Sequence, residues 1–315
     1  MTDRCRRPSP GGGYCRSVSR PPFCVPPAEV RARPLVTARG EFSVLDAVPT
    51  CETVGTVLLV PGYTGSKEDF IALLAPLAAA GYRAVAVDGR GQYETVCAEG
   101  RVAYRLGALA EDVLAQTDAL GAAPLHLVGH SLGGLISRGA VLRAVAAGRT
   151  PPFASLTLIG SGPGRIVRRQ RWRARALALG LPLLGAHGMW RLTQRVEPGE
   201  VGEFLRRRWL ANAPAQLAAT GRTLRYEPDR VELLAAAGLP VHVLSGERDG
   251  IWPMPALDRM AERLGARRTV IRGAEHSPNT ERPAATAQAL IDFWAARGPR
   301  PRLPGAGARE HAARR

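Results

Sequence analysis

The chain has 315 residues, of which 45% are hydrophobic and 22% charged. That balance suits a soluble globular protein with a sizeable core, and it excludes a disordered chain, a collagen-like fibre and a small disulfide-stapled scaffold. The net charge of +16 is concentrated, at +5 in residues 1–34, +5 in 297–315 and +10 in 163–226, which leaves the rest of the chain at −4.

Residues 1–34 are rich in Pro, Gly, Ser and Arg without an apolar period, and they read as a disordered basic tail. No apolar run follows Arg6 and Arg7, so a signal peptide is not expected. Cys5, Cys15, Cys24, Cys51 and Cys97 are odd in number and match no zinc spacing; reduced thiols in a cytoplasmic protein are the simpler reading. From residue 56 the pattern alternates. A short apolar run at 56–60 (TVLLV) predicts a buried strand entering a turn at Pro61 and Gly62. Lys67 is the only lysine beside 42 arginines, a bias that speaks for coding preference over phosphate contacts, so no nucleic-acid partner is expected. Helical spacing over 70–80 stops at Gly81, and AVAV at 84–87 is a second strand. An amphipathic helix over 106–120 ends at Gly121. Strands follow at 125–128, 156–159, 241–244 and 268–271, with helices at 132–147, 256–264 and 284–296. The uncharged run over 176–190 is too short to span a membrane and contains Pro182. The segment 299–315 reads as a second disordered basic tail. Strands separated by helices predict an α/β fold, a mainly parallel sheet covered by helices on both faces. In such sheets chemistry gathers at the carboxyl ends of the strands.

At one such end stands Gly129-His130-Ser131-Leu132-Gly133, a G-x-S-x-G motif between a strand and a helix. A serine on that tight turn sits in strained backbone, and the helix behind it aims its positive end and free N–H groups at a developing oxyanion. Ser131 needs a base. Among six histidines, His311 falls in the tail and His187 in the basic segment. His126 and His242 lie inside strands, and His130 precedes the serine and should point away from it. His276 remains, in the loop just beyond the last strand. The base needs an orienting carboxylate, and Asp249 emerges after the 241–244 strand; Glu247 is its rival, able to pair instead with Arg248 or Arg272. The order is then Ser131, Asp249, His276.

From about residue 35 to residue 297, the chain resembles the α/β-hydrolase superfamily in its lipase- and esterase-like branch. Besides the triad order, residues 60–66 (VPGYTGS) resemble that family's oxyanion loop, with Pro61 in place of the commoner histidine. By this match the backbone N–H groups of Tyr63 and Leu132 form the oxyanion hole. Asp88-Gly89-Arg90-Gly91 resembles a family turn, with Asp88 and Arg90 fixing it. The resemblance also implies a helical cap inserted at about 163–226, within a hydrolase domain over 35–298. Read as a lid, the cap is apolar on one face, and its arginines favour anionic substrates or peripheral contact with an acidic membrane surface. The plainer reading is a solvated arginine face, packed onto the core by Leu177, Leu179, Leu181 and Trp190. Trp252 and Met254 either line the pocket or pack in the core.

The implied activity is cleavage of a carboxylic ester of a small, apolar acyl substrate through an acyl-enzyme, with no metal or organic cofactor. The same triad serves an acyltransferase, thioesterase, lactonase or carbon–carbon hydrolase, and a binding protein that kept the fold without the chemistry is a third reading.

Overall fold

The computed structural model describes residues 19–96, 98, 100–193 and 198–296. The segments 1–18 and 299–315, both expected as tails, lie outside the described residues.

The described chain opens with a hairpin of β1 (Val30–Thr37) and β2 (Gly40–Ala47). It then alternates through β3 (Gly55–Val60), α1 (Ile71–Ala79), β4 (Tyr82–Val87), α2 (Leu106–Leu120), β5 (Leu125–His130), α3 (Leu132–Ala146) and β6 (Ser155–Ile159). After β6 it leaves the sheet for α4 (Arg168–Thr193), α5 (Glu200–Ala211) and α6 (Pro214–Tyr226). The short α7 (Val231–Ala235) leads into β7 (Val241–Gly246), and α8 (Met254–Leu264), β8 (Arg267–Ile271), α9 (Pro278–Glu281) and α10 (Pro283–Ala295) complete the fold.

The strands form one eight-stranded sheet in the order β1-β2-β4-β3-β5-β6-β7-β8. Pairing is antiparallel from β1 through β2 to β4 and parallel elsewhere. Side chains alternate across the pleat, so each central strand feeds two cores. Leu58, Val60, Leu127, Leu158 and Val243 join α2, α3 and α8 on one face. Val57, Leu59, Val128 and Leu244 join α1 and α10 on the other. The expected α/β sheet with helices on both faces is the fold observed.

The disordered tail expected over 1–34 needs correction, because residues 30–34 are strand. Arg31, Arg33 and Pro34 hide the apolar period of β1. An edge strand pairs on one side only and so tolerates a proline, and Arg33 has a partner. Its guanidinium meets Asp46 of β2 at 2.7 Å, and Arg83 of β4 meets the same carboxylate at 2.8 Å, tying three neighbouring strands together. Upstream, Cys24 packs against the apolar cluster of α4–α6, and Arg208 of α5 donates to the Ser19 carbonyl at 2.5 Å.

The insertion α4–α6 has its own core of Leu177, Leu181, Met189, Trp190, Phe204, Leu205, Trp209 and Leu217. Leu179, expected to pack there, is 60% exposed. Residues two apart on a helix point about 200° apart, so Leu179 cannot share the face of Leu177 and Leu181. The helix breaks at Gly185, which takes a left-handed φ of 63°. No described helix is long and apolar enough to cross a membrane.

Candidate active site

The parallel strands carry their loops to one edge, and the three residues singled out from sequence meet there. Ser131 ends β5 and caps α3 with φ 54° and ψ −117°, a conformation that costs a β-carbon residue strain. Its N–H donates to the Ile159 carbonyl of β6 at 2.9 Å, which holds the turn against the neighbouring strand. Close packing explains the flanking glycines. A Cβ on Gly129 would lie 2.4 Å from the Gly133 carbonyl oxygen, and one on Gly133 would lie 2.2 Å from that of Val60.

His276 reaches back from the loop after β8. Its Nδ1 is 3.0 Å from Asp249 Oδ2, and its Nε2 is 3.0 Å from Ser131 Oγ. An ionised carboxylate only accepts, so Nδ1 carries the proton and Nε2 is free to accept from the serine hydroxyl. The Asp249 side chain is fully buried, and its Oδ1 accepts the N–H groups of Ile251 at 2.7 Å and Trp252 at 3.1 Å. These bonds fix the carboxylate that orients the histidine. Glu247, the rival acid, accepts the Gly273 N–H instead and has no contact with His276.

Leu132 is the first residue of α3, so its N–H has no acceptor within the helix. The loop after β3 crosses the same spot, since a Cβ on Gly62 would stand 3.3 Å from Ser131 Cβ. Tyr63 follows Gly62 there. Sequence reasoning missed what holds this loop. The buried Gln92 donates to the Gly62 carbonyl at 2.7 Å, and the Tyr63 hydroxyl donates to the Leu217 carbonyl of α6 at 2.7 Å. Gly221 leaves room for that phenol, since a Cβ there would meet it at 2.7 Å. The loop is thus pinned to the segment after β4 on one side and to the inserted helices on the other. Asp88 and Arg90 act as turn-fixing groups, Asp88 on Lys67 at 2.9 Å and Arg90 on Asp112 at 2.6 Å. Trp252 is buried, donates to the Gly164 carbonyl and belongs to the core beneath the sheet.

His130 has a partner that the sequence did not reveal. Its Nε2–H donates to the His276 backbone carbonyl at 3.2 Å, bracing the loop that presents the base. Burial, with the nearby His276 ring, pushes its pKa down to about 3, and burial pushes that of His126 down to about 4. Both histidines are then neutral in the fold but take up protons near pH 6.5 when unfolded. Stability from this source is complete above about pH 6.5 and falls as pH drops, by about 1.4 kcal/mol per unit for each histidine. Between about pH 6.5 and about pH 5 the two histidines together cost about 3 kcal/mol, and denaturant melts of His126→Gln should lose about 1.5 kcal/mol less over that range than those of the wild type. Equal losses in the wild type and His126→Gln would contradict the neutral assignment of His126.

Comparison with known proteins bears on the family and the fold. The model of the alpha/beta hydrolase family matches residues 57–289. The 3-oxoadipate enol-lactonase 1 of Acinetobacter baylyi is 28% identical over 217 residues, covering 67% of this chain and 78% of that protein. Among solved structures, a thermophilic esterase from Thermogutta terrifontis superposes with a TM-score of 0.66 at 23% identity, over 84% of this chain and 98% of that one. A carboxylesterase structure from the ammonia-oxidizing thaumarchaeon Nitrososphaera gargenis does so with a TM-score of 0.67 at 18% identity, over 84% and 98%. These structural likenesses speak to the fold. The family match covers most of the chain, from β3 to α10, and the protein belongs to the alpha/beta hydrolase family as an enzyme of that fold.

Proposed function

We propose that this enzyme hydrolyses carboxylic esters through an acyl-enzyme formed on Ser131. The observation that carries the reading is the unbroken relay from Asp249 through His276 to Ser131, with both links at 3.0 Å on a strained turn. Ser131 Oγ attacks the ester carbonyl as its proton passes to His276 Nε2. Asp249 keeps the ring oriented and balances the imidazolium. The N–H groups of Tyr63 and Leu132 hold the oxyanion. Collapse breaks the bond to the alcohol oxygen, which leaves with the proton from His276. Water then attacks the acyl-enzyme, gives its proton to His276, and the acid departs as Ser131 regains its own.

An apolar acyl group is favoured because Tyr63 packs against both the core beneath the sheet and the apolar cluster of α4–α6. In this reading the insertion covers the site as a lid. A cytoplasmic setting belongs to the same reading, supported by Cys24 and Cys51 being free thiols. A lactone is an ester closed on itself, so the same groups would open one, and the enol-lactonase relative favours testing that substrate class.

The test is a panel of p-nitrophenyl esters and simple lactones, with acid release measured with and without an added alcohol. The expected result is stoichiometric acid from an ester or a lactone, little changed by the alcohol. Acyl transfer to the alcohol without acid release would replace hydrolysis by transferase chemistry on the same triad.

A further inference from the structure

We propose that the inserted helices form a docking face for an anionic lipid bilayer, centred on the outer side of α4. Arg168, Trp172, Arg175, Leu179 and Leu183 recur at steps of four, three, four and four, and all five are exposed. They form one stripe opposite Gln170, Ala174, Leu177 and Leu181, which face inward. Trp172 is 59% exposed and Leu183 83%. The stripe therefore presents an indole and two leucines to solvent beside guanidinium groups, on a helix whose other side already has a core.

Among the described residues, the charge on this face is uncompensated. Arg168, Arg171, Trp172 and Arg175 join Arg225 and Tyr226 of α6 around a cleft of about 230 Å³. Among the described residues, none of Arg168, Arg171, Arg175 and Arg225 has an acidic partner within ion-pair distance. Arg175 lies over the Trp172 ring at 5.6 Å and Arg225 over Tyr226 at 5.2 Å, so the aromatic rings hold the guanidinium groups at the surface. Arginines also crowd the first two turns of α4, whose first turn holds no acid. The helix dipole disfavours cations at that end, and neighbouring arginines repel each other. An anionic surface laid over the cleft relieves both.

A bilayer fits this face better than a soluble polyanion does. Phosphates alone would satisfy the arginines and leave Trp172, Leu179 and Leu183 in water. Lipid headgroups take the guanidinium groups while the indole and leucines enter the headgroup–acyl boundary. Inner-leaflet membranes supply such charge to cytoplasmic proteins. Docking would hold the site at a lipid surface, but the binding claim does not depend on the hydrolase reading.

The test uses the full chain carrying Ser131→Ala, sedimented with phosphatidylcholine vesicles with and without phosphatidylglycerol. Binding is expected only to the vesicles containing phosphatidylglycerol, and it should weaken as salt rises. Trp172→Ser with Leu183→Ser, and separately Arg168→Gln with Arg175→Gln, should each weaken it by roughly tenfold or more. In the chain with Ser131 restored, either pair should leave the melting temperature and turnover of a soluble ester unchanged. No binding, or equal binding to both vesicles, would overturn the proposal. So would binding that the apolar pair leaves intact and heparin abolishes, since that marks a patch for polyanions alone.

Discussion

Ser131→Ala will lower ester turnover by roughly 10⁴-fold or more while leaving the fold standing. The size follows from what the hydroxyl does. Without Oγ no acyl-enzyme forms, and only the oxyanion donors and substrate positioning remain to help direct attack by water. Stability should change little, by about 1 kcal/mol at most, because the Ser131 side chain gives up only its bond to His276. His276→Ala should cost nearly as much, and combining the two substitutions should add little, since both groups act in one step. A separate drop for each residue that multiplied in the double variant would mean that they act independently.

The second large effect lies away from the chemistry, where the inserted helices meet the sheet. Arg208 of α5 is fully buried, and its Nη1 is 2.7 Å from Oδ1 of Asp69, also buried, in the short 3₁₀ turn Lys67–Phe70 that precedes α1. The Asp69 backbone carbonyl in turn accepts from Asn279, close after the histidine loop. Burial pushes the Asp69 carboxyl upward while Arg208 pulls it down. Arg208→Met leaves that carboxylate buried without its counter-charge, and the expected loss is about 3–5 kcal/mol, a fall in Tm of roughly 5–8 °C. Adding Asp69→Asn should recover much of it, because the uncompensated charge is gone. Turnover should fall as well, since the pair ties α5 to the segment that carries Tyr63. Thermal melts of the two single variants and the double variant settle the point; equal, additive losses would mean that the pair is not coupled.

What was legible in the sequence has a physical pattern. The helix at Leu106–Leu120 has the bounds expected from its spacing, because Gly121 takes the left-handed φ of 57° that ends it. The buried parallel strands were legible as apolar runs ending in turns. Ser131, Asp249 and His276 were legible because each lies within five residues of a strand's carboxyl end, and parallel pairing brings those ends together. The hairpin of β1 and β2 was not, since one face of β1 is exposed and its arginines and Pro34 break the alternation. Within α4, the apolar composition suggested packing by Leu179 that its phase on the helix forbids. Long-range partners were the least legible. Gln92 on the Gly62 carbonyl, Tyr63 on α6, His130 on the His276 carbonyl and Arg208 on Asp69 all depend on where distant loops meet, and no local spacing records that.

The central claim is that His276 and Asp249 activate Ser131 as a nucleophile, and a fluorophosphonate probe read by intact mass tests it most directly. A single adduct on the wild-type chain is expected, with none on Ser131→Ala and at most trace labelling on His276→Ala. A folded wild-type chain that stays unmodified, or an adduct that persists on Ser131→Ala, would contradict the account.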